Sequence, residues 1–168
     1  MKLSLHSLTS RRNDSDPAKG DMLYRAAIIH MEVGRTISDL ILHGVCEKFP
    51  RLEFISAENE ITWLPFHLWR MDQLFMKLHT MSEVKLSMAP SEYFNRQMYA
   101  TFIEDTMFTN TVGTMGVDNI MWSSDFPHLA STFPHSRAFI DERLGGLSET
   151  DRMKIVRDNV ARLYDIAI

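Results

Sequence analysis

Four short segments rich in β-favouring residues, each followed by a stretch with helical period, constrain this 168-residue chain more than any other feature. The first, 2–6 (KLSLH), alternates polar and apolar residues, which is the period of a strand. The second, 52–58, is a short apolar run; the third, 97–103 (QMYATFI), and the fourth, 119–123 (NIMWS), read the same way. Between them, 21–48 sets Ile37, Leu40, Ile41, Gly44 and Val45 at spacings of three and four, one face of a helix. Gly34 is expected to split that helix and Pro50 to stop it. The period returns at Ile61, Leu64, Leu68, Met71, Phe75 and Leu78, with Pro65 in the tolerated first turn. Residues 81–94, which contain Pro90, read as a loop, and 105–115 as a short helix ended near Gly116. After the fourth strand, 136–143 is helical as far as Gly145 and Gly146. Ser148 with Asp151 then forms a capping arrangement, and Met153, Val156, Val160 and Leu163 give a last amphipathic face. Strands alternating with helices predict an α/β fold with a parallel sheet.

Composition removes several function classes. A hydrophobic fraction of 45% against 24% charged residues supports a packed core and argues against disorder. A chain of this length buries roughly 70% of its unfolded surface and is expected to form one domain, 1–168. Net charge is -4, from 18 basic and 22 acidic residues, so no broad basic footprint for nucleic acid exists. No apolar stretch approaches the ~20 residues of a membrane span, so no membrane partner is expected. The N-terminus has one Lys and no apolar run, unlike a signal peptide. A lone Cys46 forms no internal disulfide, which predicts a reducing, cytoplasmic setting. Cys46 itself reads as a small buried apolar residue on a helix.

In α/β folds the loops at the carboxyl ends of the strands carry the chemistry. The residues at those places are His6, Glu58, the Glu104–Asp105 pair, and Asp125 with His128. Imidazole and carboxylate suit zinc, and also manganese or iron. A metal held by such groups acidifies its bound water or polarises a substrate carbonyl or carboxylate. A parallel sheet brings His6, Glu58 and Asp125 together although they are far apart in sequence. Each has a plainer reading: a hydrogen-bonded His, a helix-capping Glu, a turn Asp. His30, His43, His67 and His79 fall on helices and receive no role; neither does His135 near a helix start. Residues 7–20 form a polar loop whose Arg11 and Arg12 suit a substrate carboxylate by bidentate pairing, or serve as a solvated charge pair.

The segment 119–128 (NIMWSSDFPH), followed by 131–136 (STFPHS), closely resembles the last barrel strand of the amidohydrolase-related family, the group that includes aminocarboxymuconate semialdehyde decarboxylase. The tail 155–164 (IVRDNVARLY) resembles the family's closing helix. FPRLEF at 49–54, Ala57–Glu58 and Trp63-Leu64-Pro65 resemble its sixth strand and the helix after it. PSEYF at 90–94 through YATF at 99–102 resembles the approach to the seventh, and LSLH at 3–6 the fifth. The resemblance implies a TIM barrel with its site at the carboxyl ends of the strands. It implies His6 and Asp125 as metal ligands and Asp125 and Glu58 as catalytic residues. The implied cofactor is a divalent metal, zinc first. The implied activity is metal-dependent hydrolysis or non-oxidative decarboxylation of a small carboxylated or lactone-like molecule.

Two departures qualify that picture. Glu58 stands where the family's decarboxylases carry a catalytic His, and an ionised Glu accepts hydrogen bonds but donates none. The family's first strand ends in a metal-binding His-x-His pair, and this sequence contains none, so metal binding by the isolated chain is expected to be weak or absent. A full barrel has eight strands in ~250 residues, whereas about four β/α units are legible here. The chain therefore reads as the C-terminal half of the barrel, strands five to eight. An open parallel sheet exposes two edges, so the expected partners are a second copy or a chain supplying the other half. The alternative is a non-catalytic half-barrel that works only by association. A verified monomer is expected to show little or no metal-dependent turnover; robust turnover from a monomer in a steady-state assay would contradict this.

Overall fold

The computed structural model describes residues 1–6 and 22–168. Strand β1 is Lys2–His6, β2 Glu53–Ala57, β3 Met98–Phe102 and β4 Ile120–Trp122. Helices are α1 (Met22–Leu42), α2 (Val45–Lys48), α3 (Leu64–Leu78), α4 (Pro90–Gln97) and α5 (Phe108–Met115), then α6 (Ser136–Leu144), α7 (Glu149–Met153) and α8 (Asn159–Tyr164). A single π turn, Lys154–Asp158, joins the last two. The four strands form one sheet in the order β1-β2-β3-β4, every pair parallel. Leu3 lies opposite Phe54, Phe54 opposite Met98, and Ala100 opposite Ile120.

The expected four strands and their parallel sense are present, and two local expectations change. Gly34 does not break α1. A Cβ there would sit 3.2 Å from the Trp63 ring, so this glycine lets α3 approach α1 closely. The break falls at Gly44, whose φ of 76° lies in the left-handed region that glycine enters without a Cβ clash. The second change is at 81–94, where the loop ends early because Pro90 opens α4. A proline at the first helical position gives up only an N–H that had no helical partner. Ala89 is extended, and its N–H donates to Glu92 Oε2 at 2.7 Å, which closes the first turn. The Ser148 cap holds, with Asp151 N–H donating to Ser148 Oγ at 3.1 Å. The expected loop 7–20, with Arg11 and Arg12, lies outside the described residues.

Side-chain alternation gives the sheet two faces. Phe54, Met98, Ala100, Phe102 and Ile120 pack against the helices, meeting Ile37, Ile41, Leu64, Leu68, Tyr93 and Phe94 in the main core. Each buried Leu, Ile, Met or Phe among them contributes about 1.5–3 kcal/mol by burial. Phe102 stacks on Phe108 at 5.2 Å between ring centres. The opposite face presents Ile55, Tyr99 and Met121 to Leu163 and Val160 of α8. The tail thus covers the amino-terminal part of that face, and Lys2 Nζ meets Asp165 at 3.3 Å. Among the described residues, β1 and β4 each have one sheet neighbour. Cys46 is fully buried on α2, and burial pushes its thiol up to about 11. No described helix is long and apolar enough to cross a membrane.

Asn159 is the polar pin of the last helix. It is buried, and its Nδ2 donates to Val117 O and to Ile120 O, both at 2.7 Å. Asn159→Ala takes the side-chain donor from Ile120 O, whereas Val117 O keeps the Ile120 N–H at 3.2 Å, and the one unmet buried carbonyl is expected to cost about 1–3 kcal/mol. A urea unfolding curve measures this as a lower midpoint at unchanged slope.

Candidate metal centre at the carboxyl end of the sheet

Parallel pairing carries the ends of β1, β2, β3 and β4 to one side of the sheet. His6 closes β1 on the face opposite the helices, level with Ala57. Glu58 follows β2 directly and takes a left-handed backbone, φ 63°, which turns its side chain back over the sheet. Its N–H donates to Thr101 Oγ1 at 3.2 Å, which ties this turn to β3. Asp125 follows β4 and is also left-handed, φ 55°. His128 N–H donates to Asp125 O at 2.9 Å, a tight turn that folds the imidazole over the carboxylate.

The loop beyond this turn explains the run of Ser, Thr and Phe in its sequence. Ser131 Oγ donates to Ser124 O at 2.7 Å, and Thr132 N–H donates to the same oxygen at 3.2 Å. Phe126 and Phe133 meet edge to face, 4.5 Å between ring centres. These contacts return the chain to α6 and hold Asp125 at the base of the loop.

The side chains converge. One donor atom each from Glu58, Asp125 and His128 lies within 4.8 Å of the other two. His128 Nδ1 is 3.2 Å from Asp125 Oδ1 and 4.0 Å from Glu58 Oε2. His6 Nε2 is 2.8 Å from Glu58 Oε1. The Asp125 side chain is only 9% exposed, whereas His128 is 61% exposed and faces solvent. Burial raises the Asp125 carboxyl above its usual range and the charge of Glu58 raises it further; His128 opposes both. Two carboxylates held together in this way bind a proton or a cation more readily than either does alone. Two carboxylates and one imidazole are hard and borderline donors, so the residues present fit a divalent ion such as manganese or zinc.

The structure brings His6, Glu58 and Asp125 to one place, as the sequence expects, and adds His128 to them. Glu104 and Asp105 do not join them. Glu104 is exposed, and Asp105 turns toward the start of α3, accepting Ile61 N–H at 3.0 Å and Thr62 N–H at 2.8 Å. Their position near the end of β3 suggests the site, but backbone donors at the next loop claim the carboxylate first. Glu60 is the residue that sequence reasoning passes over. It too is left-handed, φ 52°, and burial pushes its carboxyl up. Of the helical histidines, His67 lies 2.9 Å from Ser38 Oγ and joins α1 to α3, and burial holds its imidazole down.

A family model described as Amidohydrolase matches residues 3–166. The chain belongs to that family. The gamma-resorcylate decarboxylase of Polaromonas sp. strain JS666 is 26% identical over 127 residues, 73% of this chain and 37% of that protein. The crystal structure of 5-carboxyvanillate decarboxylase from Sphingomonas paucimobilis superposes with a TM-score of 0.77 at 26% identity, over 94% of this chain and 48% of that one. The dihydroxybenzoic acid decarboxylase from the same Polaromonas strain, solved with bound manganese and the inhibitor 2-nitroresorcinol, gives a TM-score of 0.71 at 22% identity, again over 94% and 48%. The chain spans less than half the length of these family relatives. Its four parallel β/α units amount to half of an eight-unit TIM barrel.

The raised Asp125 carboxyl has a stability consequence. The folded metal-free protein holds this proton more tightly than the unfolded chain does. The contribution is therefore present at low pH and is lost as pH rises through the carboxylate range. Asp125→Asn removes the repulsion with Glu58, so the metal-free variant should melt above the wild type at pH 7 and lose that advantage at acid pH. Calorimetry of both proteins across that range measures the crossover.

Proposed function

We propose that this chain supplies part of the divalent-cation site of a metal-dependent amidohydrolase-family enzyme acting on a small carboxylated, aromatic or lactone-like molecule, by non-oxidative decarboxylation or hydrolysis. The observation that carries the reading is the convergence of Glu58, Asp125 and His128 within 4.8 Å at the carboxyl end of a parallel sheet. Support comes from the named activities of the relatives, decarboxylases of hydroxylated or methoxylated benzoates. Glu58, Asp125 and His128 would hold the ion. His6, assigned as a ligand by family resemblance, already bonds Glu58 and is placed to join them. Manganese and zinc both suit these donors. The bound ion would polarise a substrate carboxylate or acidify a water.

The chain's own groups then have distinct tasks. Asp125, nearly buried beside Glu58, is placed to serve as a ligand of the ion or as the carboxylate that accepts a proton from water or a substrate hydroxyl. His6 orients Glu58 through the 2.8 Å contact. His128, exposed at the mouth, is placed to meet the polar end of an entering substrate. Among the described residues β1 and β4 each have a single sheet neighbour, which favours a working form in which further strands continue the sheet, from a second copy or a chain with the other half of the barrel. A cytoplasmic setting suits the lone buried Cys46.

Titration of the purified protein with Mn²⁺, followed by electron paramagnetic resonance of the free ion, tests the site. One ion per chain is expected to bind, more weakly than in a full barrel because this sequence supplies no His-x-His pair. Asp125→Ala, which removes one of three ligand groups, and Glu58→Gln, which removes the charge of another, should each weaken binding at least tenfold, about 1.4 kcal/mol. Unchanged affinity in both variants would remove the site from consideration.

A further inference from the structure

We propose that Glu60 and Asp105 form a reciprocal clasp between the loops after β2 and β3, and that this clasp is a positioning device for Glu58. The proposal rests on the reading of Glu58 as part of the cation site. Each carboxylate captures two successive backbone N–H groups of the other's loop. Glu60 accepts from Ile103 at 3.1 Å and from Glu104 at 3.2 Å. Asp105 accepts from Ile61 at 3.0 Å and from Thr62 at 2.8 Å, and also from the Thr62 hydroxyl. Met107 N–H donates to Asp105 Oδ1 at 3.0 Å, which fixes Asp105 within its own loop. The exchange is two-way, so neither loop shifts without stretching charge-assisted bonds on both sides.

The clasp brackets Glu58. On its amino-terminal side is β2; on its carboxyl side Glu60, Ile61 and Thr62 are all anchored to the β3 loop. Trp63 Nε1 adds bonds to Asn59 O at 2.8 Å and Glu60 O at 3.1 Å. Both Glu58 and Glu60 are left-handed, a conformation that non-glycine residues keep only where the surroundings over-determine it. The Glu60 and Asp105 carboxylates are occupied by backbone donors and stand outside the Glu58, Asp125 and His128 group. Their effect reaches that group through the backbone of Glu58, whose orientation decides whether its carboxylate meets His6 and faces Asp125. A shift near 1 Å there is enough to spoil a convergent site.

Two readouts on the full chain test this: amide hydrogen exchange by NMR without metal, and Mn²⁺ affinity. Glu60→Ala is expected to lower protection of the Glu58 amide at least tenfold while the Ile55 and Tyr99 amides stay within twofold. It should also weaken Mn²⁺ binding at least tenfold. Glu60→Gln keeps one acceptor oxygen and should recover part of both losses; it also serves if the alanine variant folds poorly. Asn159→Ala, a lesion at the far end of the sheet, should lower the unfolding midpoint and move neither readout. Unchanged Glu58 exchange in Glu60→Ala overturns the clasp. Lost protection with unchanged Mn²⁺ affinity overturns its positioning role, as does an equal affinity loss in Asn159→Ala. If the wild type takes up no Mn²⁺, the cation-site reading fails separately, and Glu58 exchange alone decides the clasp: lost protection supports it and unchanged protection overturns it.

Discussion

Everything in this structure depends on the parallel register of four strands. Because β1, β2, β3 and β4 run the same way, side chains at their carboxyl ends share one rim. Helices fill one face with Ile37, Leu64, Leu68, Tyr93 and Phe94, and α8 covers part of the other with Leu163. That leaves the rim as the place where polar groups gather without disturbing the core. His6, Glu58 and Asp125 come from three different strand ends and meet only because the sheet aligns them.

The rim is also where the chain departs from relaxed geometry. Glu58, Glu60 and Asp125 all have left-handed backbones, and Asp125 is a nearly buried carboxylate facing another carboxylate. Strain and like charge cost stability. The rest of the molecule offsets them with ordinary packing and with pins such as Asn159, which ties α8 to β4. A site that repels itself when empty is suited to a cation that relieves the repulsion. The division between a relaxed floor and a strained rim follows the order expected for a barrel enzyme, whose stability and chemistry sit at opposite ends of the strands.

Much of this was legible in the sequence, and the residues show why. Strand period and helical period gave the four units, and the motif around Asp125 gave the family. His6, Glu58 and Asp125 were found because each ends a strand. His128 was seen beside Asp125, but only the tight turn from Asp125 O to His128 N–H shows that its imidazole folds back to the carboxylates. Gly34 and Gly44 look alike in sequence; close approach of Trp63 explains one, and a positive φ the other. Pro90 marks either a loop or a helix start, and the Glu92 bond to Ala89 decides it. Glu60 and Asp105 were missed or misassigned because their partners are backbone N–H groups some 43 or 44 residues away. No residue pattern records a donor that every residue carries.

The most direct measurement is a crystal structure of the protein grown with Mn²⁺, with the ion located by its anomalous scattering. The account predicts one strong peak within bonding distance of Glu58, Asp125 and His128 at the carboxyl end of the sheet. A peak bonded to other residues, or no peak at this rim with the ion in excess, would contradict it.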